Sequence, residues 1–194
     1  MTTKELDFFN TIAEKWDSME PASLPARINT LLDMIGLQPG MNVLDLGTGT
    51  GVLVPYLLDR IGPIGTVTAV DISTGMLSVA RSKHECRHNV RFLLQDFEKE
   101  PVEGCYDAIL LYCVYPHLSN PVETLRRLRK NNLAEGGKMI VAFHCDAKSI
   151  NSIHSQRKVD AGTLPEADEL AYRLTQSGLH AEARSSAPYM VEIS

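Results

Sequence analysis

Along most of the chain, short apolar runs alternate with segments whose apolar residues recur every three or four positions, the signatures of buried strands and amphipathic helices. The leading segment, residues 6–16, sets Phe8, Phe9, Ile12 and Trp16 at helical spacing. The proline-bearing EPASLPA leads into a second predicted helix, 26–35, which Gly36 and the turn QPG close. Five predicted strands follow, NVLDLG, TVTAVDI, VRFLLQD, YDAILLYCV and GKMIVAFHC, interleaved with helices near 52–61, 76–83 and 122–131. Short apolar strands separated by helices imply a mostly parallel sheet covered on both faces, an α/β fold. A last helix, 166–176, precedes two short strands, 181–185 and 189–193, with only 186–188 between them. So short a return requires an antiparallel pair, because a parallel partner needs a crossover of a dozen or more residues. The expectation is a doubly wound, three-layer α/β/α domain whose seven-stranded sheet ends in a β-hairpin.

Composition narrows the function classes. With 194 residues, 44% hydrophobic and 22% charged, the chain suits one domain, 1–194. Its longest apolar run, 108–115, is far short of the roughly 20 residues that cross a bilayer, and MTTKELDFFN has no signal-peptide core. A cytoplasmic location without membrane contact is expected. Lys plus Arg number 19 against 24 Asp plus Glu, a net charge of −5, so nucleic acid is not an expected partner. The basic cluster Arg126, Arg127, Arg129 and Lys130 reads as the solvated end of a helix, where cations complement the negative pole. Cys86, Cys105, Cys113 and Cys145 show no paired C-x-x-C spacing, so reduced thiols and no metal site are expected.

The chemistry concentrates at the carboxyl ends of the first three strands. VLDLGTGTGVL is a strand running into Gly47, Gly49 and Gly51 and then a helix; glycines there let a ligand approach the backbone. Asp71 ends the second strand, where an acidic side chain can accept two ribose hydroxyl bonds or cap the next helix. Asp96 closes the third. The dinucleotide fingerprint G-x-G-x-x-G/A is not met, because Val52 follows Gly51, and Asp45 favours a cationic ligand over a pyrophosphate. That spacing disfavours an NAD(P)-dependent oxidoreductase and points to a nucleoside carrying positive charge.

These residues resemble the class I S-adenosylmethionine-dependent methyltransferases, in their small single-domain form with a Rossmann-like sheet. VLDLGTGTG is similar to the family's first motif, VTAVDIS to its ribose motif, and LLQDFEKEP to its adenine motif. YDAILLYCVYPHL resembles its fourth strand, and LRRLRKNNLAEGGKMIVA the helix and fifth strand beyond. The resemblance implies S-adenosylmethionine as cofactor and S-adenosylhomocysteine as product. It places Gly47, Thr48, Gly49 and Gly51 along the methionine and ribose, with Asp45 near the amino end and Tyr112 completing the set. Asp71 would hold the ribose hydroxyls, Ile72 and Met76 would flank the adenine, and Asp96 with Phe97 would meet its edge. Met76 also fits plain core.

Acceptors that resist deprotonation need a base, and histidine titrates near neutrality. His117 after the fourth strand and His144 after the fifth are the catalytic candidates; Tyr115, His117 and His154 are the acceptor-site candidates, with Tyr112 and Tyr115 placed to bracket a planar molecule. The fourth-strand exit lacks the Asn- or Asp-Pro-Pro-aromatic turn of enzymes that methylate DNA bases or glutamine amides, which favours a small-molecule acceptor. Residues 1–36 form a helical cap that either moves as a lid or packs permanently. Residues 41–146 form the cofactor core, and 147–194 hold the variable acceptor segment, last helix and hairpin. A monomer or homodimer is compatible with all of this, as is a non-catalytic protein that binds S-adenosylmethionine.

Overall fold

The computed structural model describes residues 1–194 except Glu85, Lys158 and Asp160. Its strands are β1 (Asn42–Leu46), β2 (Thr66–Asp71), β3 (Val90–Leu94), β4 (Tyr106–Tyr112), β5 (Leu133–Phe143), β6 (Ala181–Ser186) and β7 (Tyr189–Ile193). They form one sheet in the order β3-β2-β1-β4-β5-β7-β6. The first five strands are parallel; β7 pairs antiparallel with both β5 and β6, as the short return predicts. The doubly wound α/β architecture with its terminal hairpin is the one expected. Because β1 pairs with β2 on one side and β4 on the other, the chain reverses winding direction there. The carboxyl ends of these strands therefore flank the crevice in which such sheets bind ligands.

Alternation along the central strands divides the core into two layers. Ala108, Leu110 and Tyr112 of β4 pack with α2 (Leu24–Ile35) and α3 (Val54–Ile61), whereas Ile109 and Leu111 face α5 (Pro121–Asn132), α6 (Ala147–Arg157) and α7 (Ala167–Gln176). α4 (Thr74–His84) packs on β2 and β3, and α1 (Thr3–Ile12) lies against α4.

Four local differences from the sequence reading matter for the site. The leading helix stops at Ile12 and continues as a 3-10 helix, Ala13–Met19, where tertiary bonds hold Asp17 against Thr50 and Lys83. β4 ends at Tyr112 rather than Val114, because Cys113 adopts a left-handed conformation (φ 58°) while its N–H still bonds the Ala142 carbonyl. Such a backbone is uncommon outside glycine and marks a sharply turned strand exit. α6 was not foreseen in the variable segment: Ala147 and Ile150 are its buried residues, so it carries little amphipathic signal, and the Asp146 carboxylate caps it by accepting from Ser149 N–H. Lys158 and Asp160 of that segment lie outside the described residues. Finally, the basic cluster of α5 is more than a solvated face. Arg126 donates to the Ser177 carbonyl, Arg129 to the Ser194 carbonyl, and Arg127 to the carbonyls of Phe97 and Glu98, which fixes the loop after β3.

Candidate cofactor and acceptor site

The glycine turn is fastened to the neighbouring strand before any ligand is considered. Gly47 and Thr48 both donate their N–H to the Val70 carbonyl (2.8 and 3.0 Å), and Gly51 N–H returns to Thr48 (2.9 Å), so the turn rolls directly toward α3. Beside it lies a cavity of about 430 Å³, near the lower end of the roughly 300–1,000 Å³ typical of small-ligand sites. One wall consists of Gly47, Thr48, Gly49, Asp71, Ile72 and Met76, and continues through Asp96 and Phe97. These come from the ends of β1, β2 and β3 and the start of α4, so the fold brings together residues spread from position 47 to position 97.

Asp71 is the charged centre of this wall. Its two oxygens accept from Gly49 N–H and Ser73 N–H, each at 2.8 Å. A carboxylate offers about four lone-pair sites, so capacity remains for two further donors from the cavity. Burial pushes its pKa upward against those backbone bonds. Asp96 is held below the usual carboxylate range: burial acts upward, but the Lys99 ammonium at 2.8 Å and the Glu98 N–H outweigh it.

Two predicted members stand behind the wall rather than in it. Asp45 is 2% exposed and accepts from the Thr48 hydroxyl at 2.6 Å. Its pKa is pushed up to about 6 by burial, with the Thr48 bond opposing and the nearby Asp71 charge adding. A cation arriving in the adjacent cavity would favour its ionised form, so its chemistry fits a positively charged cofactor. The Gly51 carbonyl accepts from the His84 Nε2–H at 3.1 Å, which makes Gly51 a packing element of the turn.

The opposite end is built from the exits of β4 and β5. Tyr112, Cys113, His144 and Cys145 line it, together with Glu20, Arg27 and Arg157 from the cap, α2 and α6. The Tyr112 hydroxyl lies 3.0 Å from His144 Nδ1. Burial, then the charges of Arg27 and Arg157, push His144 down to about 4, so it is neutral at pH 7. The proposed tyrosine bracket is not formed. Tyr115 packs against the α5–α7 layer and is not among the cavity-lining residues, because the left-handed turn at Cys113 and the 3-10 turn Tyr115–His117 break the alternation that would put both rings on one side.

His117 and His154 do line the cavity, with ring centroids 5.2 Å apart. His117 donates Nδ1–H to Glu5 Oε1 at 2.9 Å, and its ring meets Phe9 edge-on. Glu5 is 3% exposed; its other oxygen caps α1 by accepting from Thr2 N–H at 2.8 Å. Although burial acts upward, the bonds from His117 and Thr2 hold its pKa below the ordinary value. His154 Nδ1 is buried without a partner, and burial followed by the charges of His117 and Arg157 pushes its pKa to about 4. Glu5, Glu20, Arg27 and Arg157 were not foreseen. For Glu5 alone the sequence carries a signal, since T-x-x-E from Thr2 is a capping-box spacing. Among the described residues no group of three or more His, Cys, Asp or Glu is placed to hold a metal ion, and no helix is long and apolar enough to cross a membrane.

Comparison with known proteins bears on the same wall. A family model described as a methyltransferase domain matches residues 37–181. The malonyl-acyl-carrier-protein O-methyltransferase of Acetivibrio thermocellus is 34% identical over 117 residues, 59% of this chain and 40% of that protein. The ubiquinone/menaquinone biosynthesis C-methyltransferase of Ectopseudomonas mendocina is 29% identical over 147 residues, 71% of this chain and 57% of that protein. The chain thus spans about half the length of these relatives. Among solved structures, a SAM-dependent methyltransferase from Aquifex aeolicus superposes with a TM-score of 0.73 at 23% identity, covering 95% of this chain and 96% of that one. The DhpI–SAH complex gives 0.75 at 20% identity, covering 97% and 93%. At those identities the superpositions speak to the fold alone.

Proposed function

The chain belongs to the class I S-adenosylmethionine-dependent methyltransferases, and on that premise we propose that it catalyses in-line methyl transfer from S-adenosylmethionine to a small-molecule acceptor. The observation that carries this is the cavity itself: the glycine turn and Asp71 form one wall, while the ionisable groups at the ends of β4 and β5 form the other. When bound, S-adenosylmethionine supplies a methyl group on a sulfonium, displaced by a nucleophile in line with the leaving sulfur. The residues of the chain bind and orient. Asp71 would take the ribose hydroxyls, the Gly47–Gly49 backbone would run along the methionine portion, Ile72 and Met76 would flank the adenine, and Asp96 with Phe97 would meet its edge. The cap and α6 contribute Trp16, Glu20, Ile150, His154 and Arg157 to the cavity lining beside the β4 and β5 exits. One relative is named for malonyl-acyl-carrier protein and another for ubiquinone and menaquinone biosynthesis, which supports metabolite chemistry without choosing the acceptor atom.

Calorimetry tests this reading: S-adenosylhomocysteine should bind and NADH should not. The absence of S-adenosylhomocysteine binding would sink it.

His117 is the base in this proposal. Because Nδ1–H donates to Glu5, the other ring nitrogen, Nε2, is the one left to take a proton from the acceptor. His117→Ala should lower kcat about 100-fold, within the range of general-base effects, with S-adenosylhomocysteine affinity changed less than threefold. Glu5→Gln should give a smaller loss of kcat. An equal loss of affinity and turnover would instead make His117 a fastening point of the cap.

A further inference from the structure

We propose that the methyl acceptor is a compact organic anion, and that Arg27 and Arg157 form the subsite that grips its carboxylate or phosphonate group. This deepens the methyltransferase reading and rests on it for the identity of the ligand, although the subsite belongs to the chain itself.

Arg27, from α2, and Arg157, the last residue of α6, both line the cavity, and the charge of each acts on His144 at the end of β5. Among the described residues neither has an ion-pair partner within 4.0 Å. The other functional or structural arginines behave differently: Arg60, Arg127 and Arg129 are each committed to an oxygen of the fold. Arg157 is instead held over the Trp16 ring, 5.3 Å from its centroid, which fixes the head group without neutralising it. Guanidinium forks match the two oxygens of a carboxylate or phosphonate, and two forks orient such a group as well as attract it.

The rest of that side of the cavity supplies too little negative charge to balance them. His144 feels both arginine charges and is neutral, as is His154. Burial pushes the thiol of Cys113 and the phenol of Tyr112 far upward, so neither provides an anion. Among the described residues the carboxylates on this side of the cavity are Asp17, already bonded to Thr50 and Lys83, and Glu20, whose own pKa is raised by burial, with Arg157 opposing and Asp17 adding. With Asp17 paired to Lys83, the described residues set the exposed Arg27 and the half-buried Arg157 against Glu20, a positive surplus on this side of the cavity. A neutral acceptor would leave that surplus without a counter-charge, whereas an anion supplies it.

The test uses malonate and methylphosphonate as anionic probes and malonamide as the neutral counterpart of malonate, titrated by ligand-observed NMR into the full chain with and without S-adenosylhomocysteine. Both anions should bind at least tenfold more tightly than malonamide. Arg27→Gln and Arg157→Gln should each weaken malonate binding at least tenfold, while Arg→Lys at either position restores part of it. Glu20→Gln should tighten malonate binding two- to fivefold, because it removes the competing charge. Equal binding of malonate and malonamide, unchanged malonate affinity in both glutamine variants, or weaker binding in Glu20→Gln overturns the subsite. Failure to bind S-adenosylhomocysteine tells against the methyltransferase reading, and the cofactor-free titrations then still decide the subsite.

Discussion

Asp71→Ala should weaken S-adenosylhomocysteine binding about 100-fold and leave the protein folded. Hydrogen bonds to a charged acceptor contribute about 1.5–3 kcal/mol each, and losing two ribose hydroxyl bonds at the low end of that range costs about 3 kcal/mol, a factor of about 100 in affinity. Folding changes far less because two effects oppose. Gly49 and Ser73 N–H lose their acceptor, but a carboxylate that burial already disfavours is removed. Asp71→Asn keeps one acceptor oxygen and should lose about tenfold, since its bonds are no longer charge-assisted. Calorimetric titration beside a thermal melt checks both, and unchanged affinity in the alanine variant would show that Asp71 merely ties the turn together.

Gly47→Ala should instead be a folding defect, with Tm lowered by roughly 5–15 °C in thermal denaturation. Gly47 has φ +68°, and a Cβ there would collide with Val114 Cγ2. A left-handed alanine costs about 1–2 kcal/mol, and forcing extra volume against a packed valine costs about 1–3 kcal/mol more. Gly49→Ala is the informative contrast. Its φ is +57°, but nothing lies within 4 Å of the added Cβ, which projects into open space. Stability should therefore fall by the backbone cost alone, while cofactor affinity falls because Gly49 lines the cavity. If the two variants melted alike, the close approach of Val114 to the turn would be wrong.

What could be read from the sequence was governed by range. Strand identity, the glycine turn and the final hairpin depend on residues within a few positions of one another, and the structure places them where periodicity and loop length put them. The end of β4 was misjudged by two residues because apolarity runs unbroken through Cys113 and Val114; only backbone conformation reveals that the chain turns at Cys113. α6 escaped because its helical face is nearly all polar, so its cap at Asp146 was the readable mark. The least legible part was the acceptor end. Glu5 meets His117 across 112 positions of sequence, and Arg27 and Arg157 share a cavity only after the sheet is assembled. No local pattern encodes such meetings, so the histidines were visible as candidates while the groups that tune them were not.

The fastening of the N-terminal cap has a thermodynamic consequence. Glu5 and Ala13 are the fully buried residues of α1 and the 3-10 helix after it. The segment is secured instead by Asn10, which accepts from Ser73 Oγ and Gly75 N–H, and by Asp17, which accepts from Thr50 and Lys83. Detaching it would uncover the half-buried Leu6, Phe8, Phe9, Ile12 and Trp16, so such an opening would carry a positive heat-capacity change and its equilibrium would curve with temperature. Its ion pairs are partly exposed and hence screened by salt. If escape of the demethylated cofactor limits turnover, ionic strength joins temperature as a control on how fast that cofactor leaves.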